Sequence, residues 1–117
     1  MARIKAGRTT ISVKGPESVI ADGNHSAVFE VSVTTDSKVR SGDLMQCWIV
    51  KGEGKLRPQW FFLDENGEAQ ITFIPNALTR YSDNPAELAI RDTSIGRIIE
   101  TGKEVIITVD LLEAEKE

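Results

Sequence analysis

From Ser26 to Thr35 apolar and polar side chains alternate, with Ala27, Phe29, Val31 and Val33 in one phase and Val28, Glu30, Ser32 and Thr34 in the other. A period of two sends successive side chains to opposite faces of an extended chain, so this segment is a strand with one buried face. The period returns in Arg8–Lys14, where Ile11 and Val13 share a face, and in Ala86–Arg91, where Ala86, Leu88 and Ile90 do. It returns again in Lys103–Leu111, with Val105, Ile107, Val109 and Leu111 aligned. Leu44–Val50 departs from the rule: Met45, Cys47 and Ile49 lie in one phase, Leu44, Trp48 and Val50 in the other, and Gln46 is its only polar residue. A strand apolar on both faces is either covered twice or carries an exposed patch.

Gln59 to Ile74 reads as a central hairpin. The aromatic run Trp60-Phe61-Phe62 precedes Asp64-Glu65-Asn66-Gly67, after which Ala69, Ile71 and Phe73 alternate with Gln70 and Thr72. Asn-Gly is a strong turn signal because both residues tolerate positive φ, and the Asp64 side chain can accept a hydrogen bond from the backbone two residues on. Gly67, or Asn66 with it, is therefore expected at positive φ. Gly15-Pro16 breaks the first strand, a device by which one strand serves two sheets, and Val19-Ile20 follows as a short apolar contact. Ser41-Gly42-Asp43 and Gly52-Glu53-Gly54 read as turns. Pro75–Pro85 is a long connection with room for one helical turn at Asn76–Arg80, and 92–102 is a loop bearing Ile95, Ile98 and Ile99. Seven to eight short strands with almost no helical periodicity predict an all-β antiparallel sandwich. Its expected core is Ala27, Phe29, Val31, Ile71, Phe73, Leu88, Ile90, Val105, Ile107 and Val109.

The 117 residues suit one domain, 1–117, with a flexible arm at 1–7 and a charged tail at 112–117. Cys47 is the single cysteine, which leaves the hydrophobic core to hold the fold without a disulfide. A net charge of -4 argues against nucleic acid as a partner and against docking on anionic lipid. Apolar runs are a few residues long, too short for membrane insertion as a helix. The basic opening Met-Ala-Arg-Ile-Lys lacks the apolar stretch of a signal peptide. Either the chain works where it is made, or it is a piece of a larger exported protein.

Candidate chemistry is sparse. His25 is the only histidine and lies in the polar turn Asn24-His25-Ser26, so no Ser-His or Cys-His pair is suggested and no enzyme activity is expected. Asp64-Glu65-Asn66-Gly67-Glu68 has the look of a calcium-loop fragment, to which Asp22 and Asn24 could add oxygens, but it lacks the length and the distal glutamate of such a loop. Turn formation by Asp64, Asn66 and Gly67 is the reading preferred, with no metal and no cofactor. Cys47 reads as a small apolar strand residue, and Trp48 as the tryptophan that sandwich domains bury on this strand. Trp60 and Phe62 fall in the phase opposite Phe61 and Leu63, so they either pack under a loop or form a binding or subunit surface. Contact with a protein partner or with copies of the chain is expected through Trp60 and Phe62, or through Met45 and Ile49. The strands 44–50 and 59–63 are expected in opposite sheets.

Ala21-Asp22-Gly23 ahead of an alternating strand, then Ser41-Gly42-Asp43, Gly52-Glu53-Gly54-Lys55-Leu56 and Asp64-Glu65-Asn66-Gly67-Glu68-Ala69, resembles the bacterial immunoglobulin-like domains of group 1, the invasin and intimin type. The resemblance covers roughly residues 10 to 111 and rests on turn motifs. It implies an immunoglobulin-like sandwich without catalysis: a structural or interaction module of a bacterial surface adhesin, or a phage virion decoration or tail domain. Its members are usually poor in large aromatics, whereas Trp48, Trp60, Phe61 and Phe62 cluster here. A carbohydrate-binding module, with exposed rings stacked on sugars, is the alternative.

Overall fold

The computed structural model describes residues 7–78, 80–94, 100–101 and 104–113. Eleven strand segments are found among them: β1 Gly7–Lys14, β2 Ser18–Ile20, β3 Ala27–Thr35, β4 Lys38–Val39, β5 Leu44–Lys51, β6 Gly54–Arg57, β7 Trp60–Phe62, β8 Glu68–Pro75, β9 Ala86–Asp92, β10 Glu100–Thr101 and β11 Glu104–Leu112. They form two sheets. The first has the order β10-β1-β3-β8-β6, with β4 also on β3, and the second the order β2-β11-β9-β5-β7. Neighbours are antiparallel except β1 with β10 and β2 with β11. The strands beyond the expected number are short. β4 and β10 have two residues each, and in β6 only Leu56 turns inward, between Lys55 and Arg57. Such segments carry no period that a sequence can display.

Alternation places the core between the sheets. Ala27, Phe29, Val31 and Val33 from β3, Ile71 and Phe73 from β8, Leu88 and Ile90 from β9 and Val109 from β11 are all buried there. Val105 and Ile107 are half-buried and pack on its margin. The first strand does serve both sheets: β1 lies in one and β2 in the other, with the break at Gly15. A Cβ on Gly15 would stand 2.3 Å from the Phe29 ring, so the crossing strand needs glycine there.

The connections hold the corrections. β7 and β8 do not form a hairpin. β7 pairs with β5 in the second sheet and β8 with β3 and β6 in the first, so Asp64–Gly67 carries the chain from one sheet to the other. The two-residue hairpin lies instead at Asp36–Ser37, between β3 and β4, with both residues at positive φ (51° and 67°). That is the turn whose twist matches antiparallel strands. Strands 44–50 and 59–63 were expected in opposite sheets and are direct neighbours in one. The long connection makes its helical turn as a short 3-10 segment at Tyr81–Asp83, not at Asn76–Arg80. Asn84 then fixes it to β11, its amide donating to Leu111 O at 3.0 Å while its Oδ1 accepts from Leu111 N at 2.9 Å. Ile95, Ile98 and Ile99 lie outside the described residues.

Candidate functional site

The core phase of β5 and β7 dictates what their other phase presents. Met45 and Cys47 are buried between the sheets, Ile49 packs on the same core, and Phe61 and Leu63 join them. Met45 is fully buried, so contact with a partner through Met45 and Ile49 is corrected: that face of the strand is covered by the opposite sheet. Trp60 and Phe62 take the outward phase, at 54% and 70% exposure. No loop among the described residues covers them. Trp48 is likewise outward and half-buried, not the core tryptophan expected on this strand.

Register assembles an outer face on the second sheet. Phe62 pairs with Leu44; Trp60 with Gln46, then Arg91 and Glu104; Trp48 with Ala89 and then Ile106. Directly opposite residues on one face have Cβ atoms about 4.5–5.5 Å apart, so these rows are in contact. Ala89 is buried although it faces outward, between Trp48 and Ile106, and Ile106 is 55% exposed. The next row, past a β-bulge at Val50, pairs Lys51 with Glu87. The corresponding face of the first sheet is mixed: Glu30, Ser32 and Thr34 from β3, Glu68, Gln70 and Thr72 from β8, and Lys55 and Arg57 from β6 share it with Val28, Val39 and Ile74. Among the described residues, the exposed Trp and Phe side chains all lie on the second sheet. Sequence reasoning found its edge and missed Ile106, whose signal was a lone isoleucine in the polar phase Glu104, Thr108 and Asp110.

The turns behave as turns. Asp64 Oδ1 accepts from Asn66 N at 2.8 Å and Glu68 N at 2.9 Å, and Gly67 has φ 72°. Gly67 alone carries the positive φ. Asp22 Oδ1 accepts from the N–H groups of Asn24 and His25, and its Oδ2 lies 2.6 Å from His25 Nδ1. Those bonds, the His25 N–H foremost, hold its carboxyl below the ordinary carboxylate value. Both carboxylates are thus engaged with their own turns, and no group of three or more metal-ligating side chains occurs among the described residues. Cys47 donates its thiol to Pro58 O at 3.1 Å, and burial pushes that thiol up to about 11, which keeps it inert.

One charged cluster was not foreseen. Asp92 closes β9 at the end of the sandwich, 1% exposed, with Oδ1 accepting from Ser94 N at 2.9 Å. Burial first, and the neighbouring Asp43 carboxyl second, push Asp92 up to about 7, while the Ser94 N–H and Arg40 oppose the rise. Arg40 Nε donates to Asp43 Oδ2 at 2.6 Å. The cluster borders the apolar face, since Thr93 N and Oγ1 both donate to Leu44 O and Ser94 Oγ accepts from Leu44 N.

No protein-family model matches the sequence, and no curated protein matches it. Solved structures do. The C-terminal 282-residue fragment of intimin, in complex with the intimin-binding domain of the translocated intimin receptor, superposes with a TM-score of 0.63 at 20% identity. The match covers 87% of this chain and 33% of that one. The D00-D0 domains of intimin match with a TM-score of 0.60 at 14% identity over 92% of this chain and 50% of theirs. The D0-D1 domains give 0.55 at 18%, over 89% and 46%. The chain therefore spans between a third and a half of each structure it matches. The immunoglobulin-like sandwich implied by the turn motifs is its fold, and it is the fold of intimin domains.

Proposed function

We propose that this chain is a non-enzymatic immunoglobulin-like module of a bacterial surface adhesin, displayed outside the cell as part of a larger protein. We infer further that it meets a protein through the outer face of its second sheet. The observation that carries this reading is the exposure of Trp60 and Phe62 beside Leu44, Trp48 and Ile106 on one face. Large apolar side chains set contiguously on a soluble surface favour a macromolecular partner, and aromatic residues are over-represented where such contacts are strongest. The intimin fragment solved with its receptor domain supports a protein as the partner class. The only histidine is bonded to Asp22 in an exposed turn, which supports a role without acid-base catalysis. The matched structures lend no support to a virion setting.

Beads coated with the chain test the reading. Adhesion to cultured host cells should fall for a Trp60→Ser, Phe62→Ser variant whose melting temperature is unchanged. Equal adhesion by parent and variant would remove this face from the function. Gln46 and Arg91 supply polar groups beside the Trp60 ring, as a sugar site requires. The same pair of proteins is therefore run through gels containing soluble polysaccharides, where retardation of the parent alone would assign the face to carbohydrate.

A further inference from the structure

The second sheet ends in an open strand at the place where its exposed aromatic rings stand. β7 is the outermost strand of that sheet, and β5 is its neighbour there. Cys47 N donates to Gln59 O at 2.8 Å and Leu63 N to Asp43 O at 2.9 Å, so the pairing with β5 runs over residues 59–63. Hydrogen-bonded and non-bonded positions alternate along an antiparallel ladder. Gln59, Phe61 and Leu63 therefore turn their N–H and C=O groups toward β5, and Trp60 and Phe62 turn theirs away from it. The same alternation aims Leu44 of β5 the other way, where its N–H and C=O meet Ser94 and Thr93 just past β9. No strand among the described residues stands on the free side of β7. Two donors and two acceptors thus leave the sheet at the two residues whose rings are most exposed. We propose that this edge is a strand-addition site, at which an extended segment of the partner protein pairs antiparallel with Trp60–Phe62 and continues the second sheet. The proposal rests on the reading of Trp60 and Phe62 as a protein-docking surface and adds the partner's conformation to it.

The four free groups set the chemistry of the occupant. An extended backbone matches their spacing, and its main-chain hydrogen bonds supply affinity while alternate side chains supply specificity. The antiparallel sense gives the more stable ladder, and it is the sense in which β7, β5 and β9 already pair. Partner residues opposite Trp60 and Phe62 stand on the outer face beside the two rings, where β-branched and aromatic side chains pack best. The residue between them turns inward next to buried Phe61 and is therefore uncharged. Asp64 and Glu65, both exposed, follow the paired stretch directly, which suits a partner strand that enters with a basic residue. β6, an edge of the first sheet, shows the contrast. Lys55 and Arg57 stand on either side of its inward Leu56, and such charges are how edge strands resist pairing. β7 carries no charge and presents Trp and Phe instead.

Amide hydrogen exchange reads the edge directly. In the free chain the Phe61 amide should be protected and those of Trp60 and Phe62 open. The probe is the capped peptide Lys-Thr-Val-Ala-Val-Thr, whose valines fall opposite Phe62 and Trp60 and whose lysine falls opposite Asp64. In excess it should slow exchange at Trp60 and Phe62 at least about tenfold and leave Phe61 as it was. The same peptide N-methylated at both valines keeps its side chains, loses the two donors and should protect neither residue. Absence of protection at the peptide's solubility limit overturns the proposal, as does equal protection by the methylated peptide. Protection that rises with the concentration of the chain alone would put a second copy on the edge and overturn the partner strand. Cell adhesion separates strand addition from the docking reading beneath it. Phe62→Ser removes the ring, and Phe62→Pro removes the ring and the outward N–H, at an edge position where proline breaks no existing ladder bond. Adhesion should fall further for the proline variant at an equal melting temperature. An equal fall in both would keep the docking face and remove strand addition. Adhesion untouched in both, and in the Trp60→Ser, Phe62→Ser variant, would remove the two together.

Discussion

At the scale of single residues, two positions are set by geometry that admits few alternatives. Gly67 has φ 72°, and a Cβ there would lie 3.1 Å from both Arg40 N and Val33 O. The backbone at this position is also pinned, because its carbonyl accepts from Val33 N at 3.0 Å, so it cannot shift to relieve a side chain. Gly67→Val is therefore expected to cost about 1–3 kcal/mol, combining backbone strain with crowding, read as a lower midpoint in denaturant. Asp92 makes the opposite kind of prediction. Its ordinary value is 3.8 and its folded value about 7, so between them the folded chain holds a proton that the unfolded chain lacks. Asp92 then stabilises the fold most at low pH. Its contribution declines as pH rises, by at most about 1.4 kcal/mol per unit, and levels off above the folded value. Asp92→Asn should flatten that decline in melting curves taken between pH 5 and 8, and an unchanged slope would show that another group titrates there.

At the scale of elements, legibility followed the length of the period. β3, β8, β9 and β11 run seven to nine residues with one buried face, and their alternation announced both strand and core phase. Pairing partners were less visible. Asn66-Gly67 looked like a hairpin because local turn chemistry is the same whether the next strand returns to its neighbour or crosses the sandwich. Asp36-Ser37, which does close a hairpin, has weaker residues for positive φ and is held by the register of β4 on β3. The candidate site split in the same way. Phase alone turned Trp60 and Phe62 outward, but only the pairing of β7 with β5, and of β5 with β9, brings Leu44, Trp48 and Ile106 to the same face. Adjacent residues of β7 should accordingly respond in opposite ways. Phe62→Ser, at 70% exposure, is expected to change stability by less than about 0.5 kcal/mol, and Phe61→Ser, inside the sandwich, to cost about 3 kcal/mol or more. Similar losses at both positions in urea melts would mean that the register of β7 is wrong.

At the scale of the whole molecule, the question is what keeps two sheets together when the single Cys47 can form no intramolecular disulfide and no group of three or more metal-ligating side chains occurs among the described residues. Cys47 is buried and unpaired, and the two turn aspartates satisfy backbone donors instead of a cation. Cohesion therefore rests on the inter-sheet core and on a chain that changes layer at every connection between consecutive strands except β3 to β4, the crossings at Gly15 and Asp64–Gly67 among them. Crossing segments make it hard for one sheet to open alone, so unfolding should be a single cooperative transition. Its midpoint should not move when chelator or reductant is added, because neither has a link to break; a chelator-induced fall of several degrees would reveal an ion held by the acidic turns. The core should show the reverse sensitivity. Phe73 is wholly buried on β8, in register with Ala27 on one side and Leu56 on the other. Both neighbouring strands are fixed by their own hydrogen bonds and cannot close over a lost ring, so Phe73→Ala leaves a cavity. The expected loss is about 3–5 kcal/mol, a fall in melting temperature of some 10 °C or more for a domain of this size. A fall of only a few degrees would mean that the sheets relax toward each other, and that the sandwich is held less by that ring than by the chain crossings that join its layers.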